Sequence, residues 1–236
     1  MTTATATSLR DSLAAIVGPD RVLDRPVDLI AFASDASFYR LIPKAVAFAG
    51  SVDDVRGLFR LSHERKIPMT FRAAGTSLSG QSVSDGILVE VARNWRGIQV
   101  LECGAKVKVQ PGVIGAHVNH ALKFFKAKMG PDPASINTCT VGGILSNNSS
   151  GMCCGVTQNA YHTLESLTFV LPSGIVIGPS GNFNPLATST SSDMAPPRGL
   201  AGHGPPARDA ASMTGVPAST TGVPASTCAS GSGGGR

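Results

Sequence analysis

Residues 69–81, Met-Thr-Phe-Arg-Ala-Ala-Gly-Thr-Ser-Leu-Ser-Gly-Gln, leave an apolar run and turn abruptly small, polar and glycine-containing. In such a loop several backbone N–H groups can converge on an anion, because no bulky side chain holds the ligand away, and phosphate is the natural guest. Thr76, Ser77 and Ser79 add hydroxyl donors and Gln81 an amide, without placing a full charge in the site. Gly75 and Gly80 have the G-x-x-x-x-G spacing of a nucleoside-triphosphate loop, but Gln81 stands where that chemistry needs Lys. The dinucleotide fingerprint G-x-G-x-x-G is absent, and the loop follows the second strand of a β-α-β unit, the wrong order for a Rossmann start. A plain Ser/Gly turn joining two strands satisfies the same local composition.

Residues 129–143, Met-Gly-Pro-Asp-Pro-Ala-Ser-Ile-Asn-Thr-Cys-Thr-Val-Gly-Gly, form the second informative stretch, and Ile-Leu-Ser-Asn-Asn-Ser-Ser-Gly continues it to residue 151. A run so rich in Asn, Ser, Thr and Gly usually means exposed turns, but the apolar Val141, Ile144 and Leu145 argue for partial burial. Buried backbone and amide groups need partners. A planar heteroaromatic ligand with donors and acceptors along its edge would supply them, and an empty, tightly turned loop is the alternative. His162, beside Tyr161, invites a reading as catalytic base because imidazole is the common general base, yet a lone His next to Tyr is read as structural. His117 and His120 have the i, i+3 spacing of a metal pair; with no nearby Cys or carboxylate to complete it, a surface helix face is expected.

The elements that must position these loops follow from periodicity. Leu9 to Val17 has helical spacing after a Ser8 cap, and Val27 to Phe32 suggests a second short helix. Ala45 to Ala49 is of strand length, Ser51 can cap the helix that Val55, Leu58, Phe59 and Leu61 write, and Pro68 to Phe71 returns to strand. That β-α-β unit requires its two strands to run parallel. Gly86 to Val91 is a further strand. From Ile98 the pattern alternates through Val100, Val107 and Val109 to the turn at Pro111-Gly112, suggesting a second, more antiparallel subdomain. Ile114 to Leu122 reads as a helix, and residues 164–171 and 175–177 as a hairpin around Pro172-Ser173-Gly174.

Beyond Gly178 the chain is dominated by Pro, Gly, Ser, Thr and Ala, and the heptad Thr-Gly-Val-Pro-Ala-Ser-Thr occurs twice in tandem over residues 214–227. No apolar seam accompanies that period, so residues 179–236 are expected to be a low-complexity, disordered tail. Residues 1–178 form the folded part, with a first subdomain at about 8–97 and a second at 98–178. Net charge is +5, but the Lys and Arg residues are scattered among acids and aromatics are 5%, which argues against nucleic-acid partners. The N-terminus lacks the pattern of a secretory signal, and no apolar run approaches the roughly 18 residues of a membrane-spanning helix, so a cytoplasmic protein without a transmembrane segment is expected. The five cysteines match neither zinc pairs nor an iron–sulfur cluster and are expected to be reduced thiols.

Together the two loops resemble the FAD-binding domain of the vanillyl-alcohol-oxidase type, also called PCMH-type, in its D-lactate dehydrogenase and glycolate oxidase D-subunit branch. Residues 31–40, 72–81, 130–151 and 159–164 are most similar to the long bacterial enzymes that fuse a flavin half to an iron–sulfur half. The resemblance implies an α+β fold of two α/β subdomains, one a small β-α-β part and one more antiparallel, here incomplete. It implies FAD as cofactor, with Arg72, Ala73, Ala74, Gly75, Thr76 and Ser77 around the pyrophosphate. Asp132, Pro133 and Thr140 would line the flavin side, and Asn147, Asn148, Ser149 and Ser150 would contact more of the cofactor. Gly142 and Gly143 would admit close packing. Thr76 stands where some relatives carry a flavin-linking His, so binding is expected to be non-covalent.

The resemblance stops after Ile177, before the Gly-Ser-Glu-Gly-Thr-Leu-Gly-type segment and the cap domain that such enzymes place over the substrate. The tail in their place has the composition that a shifted reading frame or a mis-joined gene would give. The complete enzyme would oxidise a D-2-hydroxy acid such as lactate to the 2-oxo acid. A small 2-hydroxy acid is therefore a partner only of that complete enzyme, and the iron–sulfur half is absent here. This chain is expected to be inactive in turnover.

Overall fold

The computed structural model describes residues 7–179 and, by backbone alone, residues 212–215. Helix α1 (Leu9–Val17) begins where the Ser8 hydroxyl accepts the Asp11 N–H, and it buries Leu13 and Val17. Strand β1 (Val22–Leu23) and helix α2 (Pro26–Ala31) follow. Strand β2 (Ala45–Phe48) leads into helix α3 (Val52–Arg65), whose cap is Ser51 accepting the Asp54 N–H. Strand β3 (Met69–Arg72) and strand β4 (Ile87–Glu90) complete the first sheet, in the order β1-β2-β4-β3.

The β-α-β expectation holds in direction, since β2 and β3 are both parallel to β4, but β4 lies between them. All four residues of β2 and of β4 are buried. Such continuous apolar runs suit strands covered on both faces. On one face Ile87 and Val89 pack with Leu13, Leu58 and Trp95; on the other Leu88 packs with Val46 and Phe48. Arg21 donates to the buried Asp54 carboxylate at 2.7 Å, tying the start of α3 to the turn that precedes β1.

The second part carries strand β5 (Ile98–Leu101) antiparallel to strand β6 (Lys106–Val109), then helix α4 (Gly115–Leu122). Helices α5 (Val141–Ser146) and α6 (Ala160–Thr163) follow, neither foreseen by periodicity because each spans barely a turn. Strand β7 (Leu164–Leu167) belongs to the sheet of β5 and β6, whereas β8 (Phe169–Val170) and β9 (Val176–Ile177) form a separate hairpin. The hairpin expected over residues 164–177 is thus split at Thr168. Val107, Val118, Leu122, Met129 and Ile144 are the centre of a second core.

Backbone residues Ser212–Gly215 form β10, parallel to β6 on one side and β7 on the other. This departs from the expectation of a tail without structure. Strands β6 and β7 do not pair with one another, and a strand between them satisfies both rows of backbone groups whatever its composition. The rest of the tail after Pro179 lies outside the described residues. Cys139, Cys153 and Cys154 are free thiols, but Cys103, on a left-handed turn, is disulfide-bonded, contrary to the expectation of reduced cysteines. Among the described residues no helix is long and apolar enough to cross a membrane.

Candidate functional site

The loop after β3 is held from beneath. Arg72 turns its guanidinium back from the strand end, and Nη1 donates to the carbonyls of Phe32, Ser34 and Ser82 at 3.3, 2.9 and 3.3 Å. The same group lies 5.6 Å from the centre of the Phe32 ring. Burial pushes its pKa down, while the Asp35 and Glu90 carboxylates pull the other way. Asp35 accepts the hydroxyl and N–H of Ser82, and the Ala36 N–H donates to the Gly75 carbonyl at 3.0 Å. Residues 32–37 therefore form the floor on which residues 72–82 rest.

Gly75 and Gly80 adopt φ of 68° and 71°, which side chains disfavour. A Cβ on Gly75 would lie 2.5 Å from the Arg72 guanidinium. Ser77 orders the far side of the loop, its hydroxyl oxygen accepting the N–H groups of Ser79 and Gln81 at 3.2 Å each. Among the described residues, no backbone or side-chain acceptor takes the N–H groups of residues 73–77. Successive free amides on a glycine-bearing turn are an anion-binding concavity.

These amides open into a cleft of about 890 Å³, which has walls from both halves of the fold. Drug-sized and cofactor ligands occupy clefts of about 300–1,000 Å³. One side carries Arg72–Ser77, Gln81 and Ser82; the opposite side carries Thr140 and α5 through Asn147. Apolar walls come from Val55, Phe59, Phe71, Trp95, Leu167 and Phe169. The N–H groups of Val141 and Gly142 donate to Val113 and Pro111, pinning the start of α5 against the β6–α4 turn. A Cβ on Gly142 would meet Pro111 at 2.9 Å, whereas one on Gly143 would meet only the Thr140 hydroxyl, at 3.9 Å. Gly142 thus permits the close packing and Gly143 leaves room in the cleft.

Two buried hydroxyls in these walls, Thr140 Oγ1 and Thr168 Oγ1, have no hydrogen-bond partner. Native interiors seldom leave such groups unpaired, so each calls for a partner that the protein itself does not provide. A dinucleotide with a pyrophosphate and a ring whose edge carries donors and acceptors fits the free amides, the orphaned hydroxyls and the apolar walls together.

Of the residues singled out in the sequence, the structure brings Arg72, Ala73, Ala74, Gly75, Thr76, Ser77, Thr140 and Asn147 to the cleft. Asp132, Pro133, Asn148, Ser149 and Ser150 lie outside its lining. Asp132 sits under the 151–155 turn so closely that a side chain on Gly151 would overlap it. Burial raises its pKa and the Cys153–Cys154 turn lowers it, with the net shift downward; its Oδ1, like the Thr140 and Thr168 hydroxyls, is buried with no hydrogen-bond partner. Asn148, at φ 46°, accepts the Tyr161 N–H, and Ser149 accepts from Ala160 and donates to Ile144. These residues shape the turn that carries α6 and are not in the cleft lining. His162 Nδ1 meets the Val156 carbonyl at 2.7 Å, the structural role expected of it, and His117 and His120 are exposed on α4. Sequence reasoning passed over Phe59, Trp95, Tyr161 and Thr168 because each belongs to an element whose local pattern only signals helix, turn or strand.

The geometry defines a nucleotide-cofactor site between two α/β subdomains, the class of fold expected from the sequence. Residues 43–178 match the FAD-binding domain family, which is more than half of the chain, and the chain belongs to that family. The cofactor of this domain is FAD. It is 33% identical over 138 residues to D-2-hydroxyglutarate dehydrogenase of Pseudomonas putida, covering 56% of this chain and 14% of that protein. It is 28% identical over 183 residues to glycolate oxidase subunit GlcD of Escherichia coli, covering 73% and 36%. Among solved structures, BBE-like 1 of Physcomitrella patens superposes with a TM-score of 0.65 at 17% identity, covering 73% of this chain and 37% of that one. Substrate-bound p-cresol methylhydroxylase superposes with a TM-score of 0.59 at 18% identity, covering 72% and 34%, which supports the fold. The chain spans only about a seventh of the dehydrogenase and a third of GlcD.

Proposed function

We propose that this chain is the FAD-holding part of an enzyme that oxidises a D-2-hydroxy acid, with D-lactate as the substrate of the complete enzyme. The observation that carries the reading is that the unpaired N–H groups of residues 73–77 and the unpaired Thr140 hydroxyl belong to the lining of one cleft. Both named relatives, a D-2-hydroxyglutarate dehydrogenase and a glycolate oxidase subunit, take 2-hydroxy acids by name, which supports that substrate class. The preference for D-lactate rests on the similarity of residues 72–81 and 130–151 to the D-lactate branch.

When bound, FAD supplies the two-electron acceptor, and the protein's task is to bind, orient and shield it. Residues 73–77 hold the pyrophosphate through their amides, with Arg72 fixing the loop from below rather than reaching over it. Binding is non-covalent, because Thr76 offers no ring nitrogen for a flavin link and the cleft lining contains neither His nor Cys. Proton removal from a substrate hydroxyl requires a base within hydrogen-bond reach. Arg72 and Tyr161 are the only titratable side chains in the lining, which holds no His, Asp, Glu or Lys to take that role. The chain by itself therefore holds FAD without turnover, and we assign the substrate-binding cap and an iron–sulfur path for the electrons to parts of the enzyme outside residues 1–178.

The test is absorption and fluorescence of the chain after incubation with FAD and gel filtration. Flavin bands should elute with the protein, and acid precipitation should release all of the flavin into solution. The only Trp, Trp95, stands in the cleft wall, so FAD should quench its emission. D-Lactate should leave the flavin bands unbleached. A colourless protein with unchanged Trp95 emission would refute the cofactor reading, and bleaching by D-lactate would refute the absence of turnover.

A further inference from the structure

Thr168 is the single residue between β7, which belongs to the second sheet, and β8, which belongs to the hairpin. That hairpin reaches across to the first half of the fold, where Arg56 of α3 donates from Nε to the Gly174 carbonyl at 2.9 Å. At the crossing the Thr168 side chain enters the cleft wall beside Leu167 and Phe169. Its hydroxyl is buried and has no partner. Gly178 stands opposite, and a Cβ there would come within 3.0 Å of Thr168 Oγ1, so only a glycine fits this closely beside the hydroxyl.

An unpaired buried hydroxyl costs stability, and a valine of the same shape would remove that cost. Retention of the hydroxyl makes physical sense if its partner arrives with the ligand. We propose that Thr168 is a cofactor-binding residue, its hydroxyl pairing with a donor or acceptor on the edge of one of the two ring systems of FAD. The assignment rests on the FAD reading above and adds to it a contact from the opposite wall to the pyrophosphate loop. Thr168 and Thr140 then grip the cofactor from two separate elements, β7–β8 and the start of α5.

Calorimetric titration of the full chain with FAD, comparing the native protein with Thr168→Val, Thr168→Ser and Thr140→Val, tests this. Thr168→Val should weaken FAD binding roughly five- to tenfold, as loss of a buried hydrogen bond does, while Thr168→Ser stays within about twofold of the native protein. Without FAD, Thr168→Val should melt at the same temperature as the native protein or higher, which a merely structural hydroxyl would not allow. Parallel titrations with FMN and ADP identify the ring, since the loss should appear with one of them. Native-like FAD affinity in Thr168→Val, with Thr140→Val weakened, would overturn the Thr168 assignment and leave the FAD site standing. Failure of the native chain to bind FAD would remove both.

Discussion

Nη1 of Arg72 donates to three carbonyls that belong to the floor and the far end of its own loop. Arg72→Met should therefore lower stability by about 2 kcal/mol in urea unfolding, the scale of charge-assisted bonds lost from a partly buried group. FAD affinity should fall with it, because the amides of residues 73–77 lose their support. Gly75→Ala should cost about 1–2 kcal/mol through the left-handed backbone alone. It should also displace Arg72, and the combined effect on FAD affinity is expected to exceed that of Ser77→Ala. Asp35 gives a pH signature. Burial would raise its pKa, but hydrogen bonds from the hydroxyls and N–H groups of Ser37 and Ser82 hold it below the ordinary aspartate value. A depressed carboxylate stabilises above its unfolded pKa and loses that contribution as pH falls through the folded one. The urea midpoint of the native protein should thus drop on acidification below about pH 4, and Asp35→Asn should drop less over the same range. The small, polar loop that carries Arg72, Gly75 and Ser77 was legible in the sequence from its composition after a strand. The downward turn of Arg72 was not, since it depends on carbonyls some forty residues away.

At the scale of elements, β4 is the piece on which the cleft depends, because β3 and the loop after it are registered to β4 residue by residue, Arg72 opposite Glu90. Ile87 is fully buried against the core that includes Leu13 and Leu58. Ile87→Ala should cost about 3 kcal/mol in equilibrium unfolding, in the range of large-to-small core substitutions. Ser51→Ala, which removes the α3 cap, should cost about 1 kcal/mol. The strands and α3 were readable from runs and spacing. The insertion of β4 between β2 and β3 was not, because parallel neighbours carry no local mark of strand order. Helices α5 and α6 were hidden for another reason: at six and four residues they are too short to write a 3.6 period.

Across the whole molecule, the cleft exists because the second half sends β8 and β9 back to α3 while α5 packs beneath the β6–α4 turn. The second sheet is continuous only through β10, which separates β6 from β7. Thr214→Pro would delete an N–H in the middle of that strand and should speed amide exchange in Lys106–Val109 and Leu164–Leu167, leaving β2 and β4 unaffected. Unchanged exchange in those segments would show that β6 and β7 draw their protection elsewhere. The sequence by itself determined the longer helices and strands and the small, polar loop at residues 72–81, because these are written in local composition and spacing, while the family was legible only through the resemblance of its two loops. Only the tertiary structure decided that Thr140 and Thr168 stand unpaired in walls of one cleft while Asp132 and residues 148–150 fall outside its lining. Whether a side chain faces a ligand is set by the meeting of elements remote in sequence, and a local pattern carries no record of that meeting.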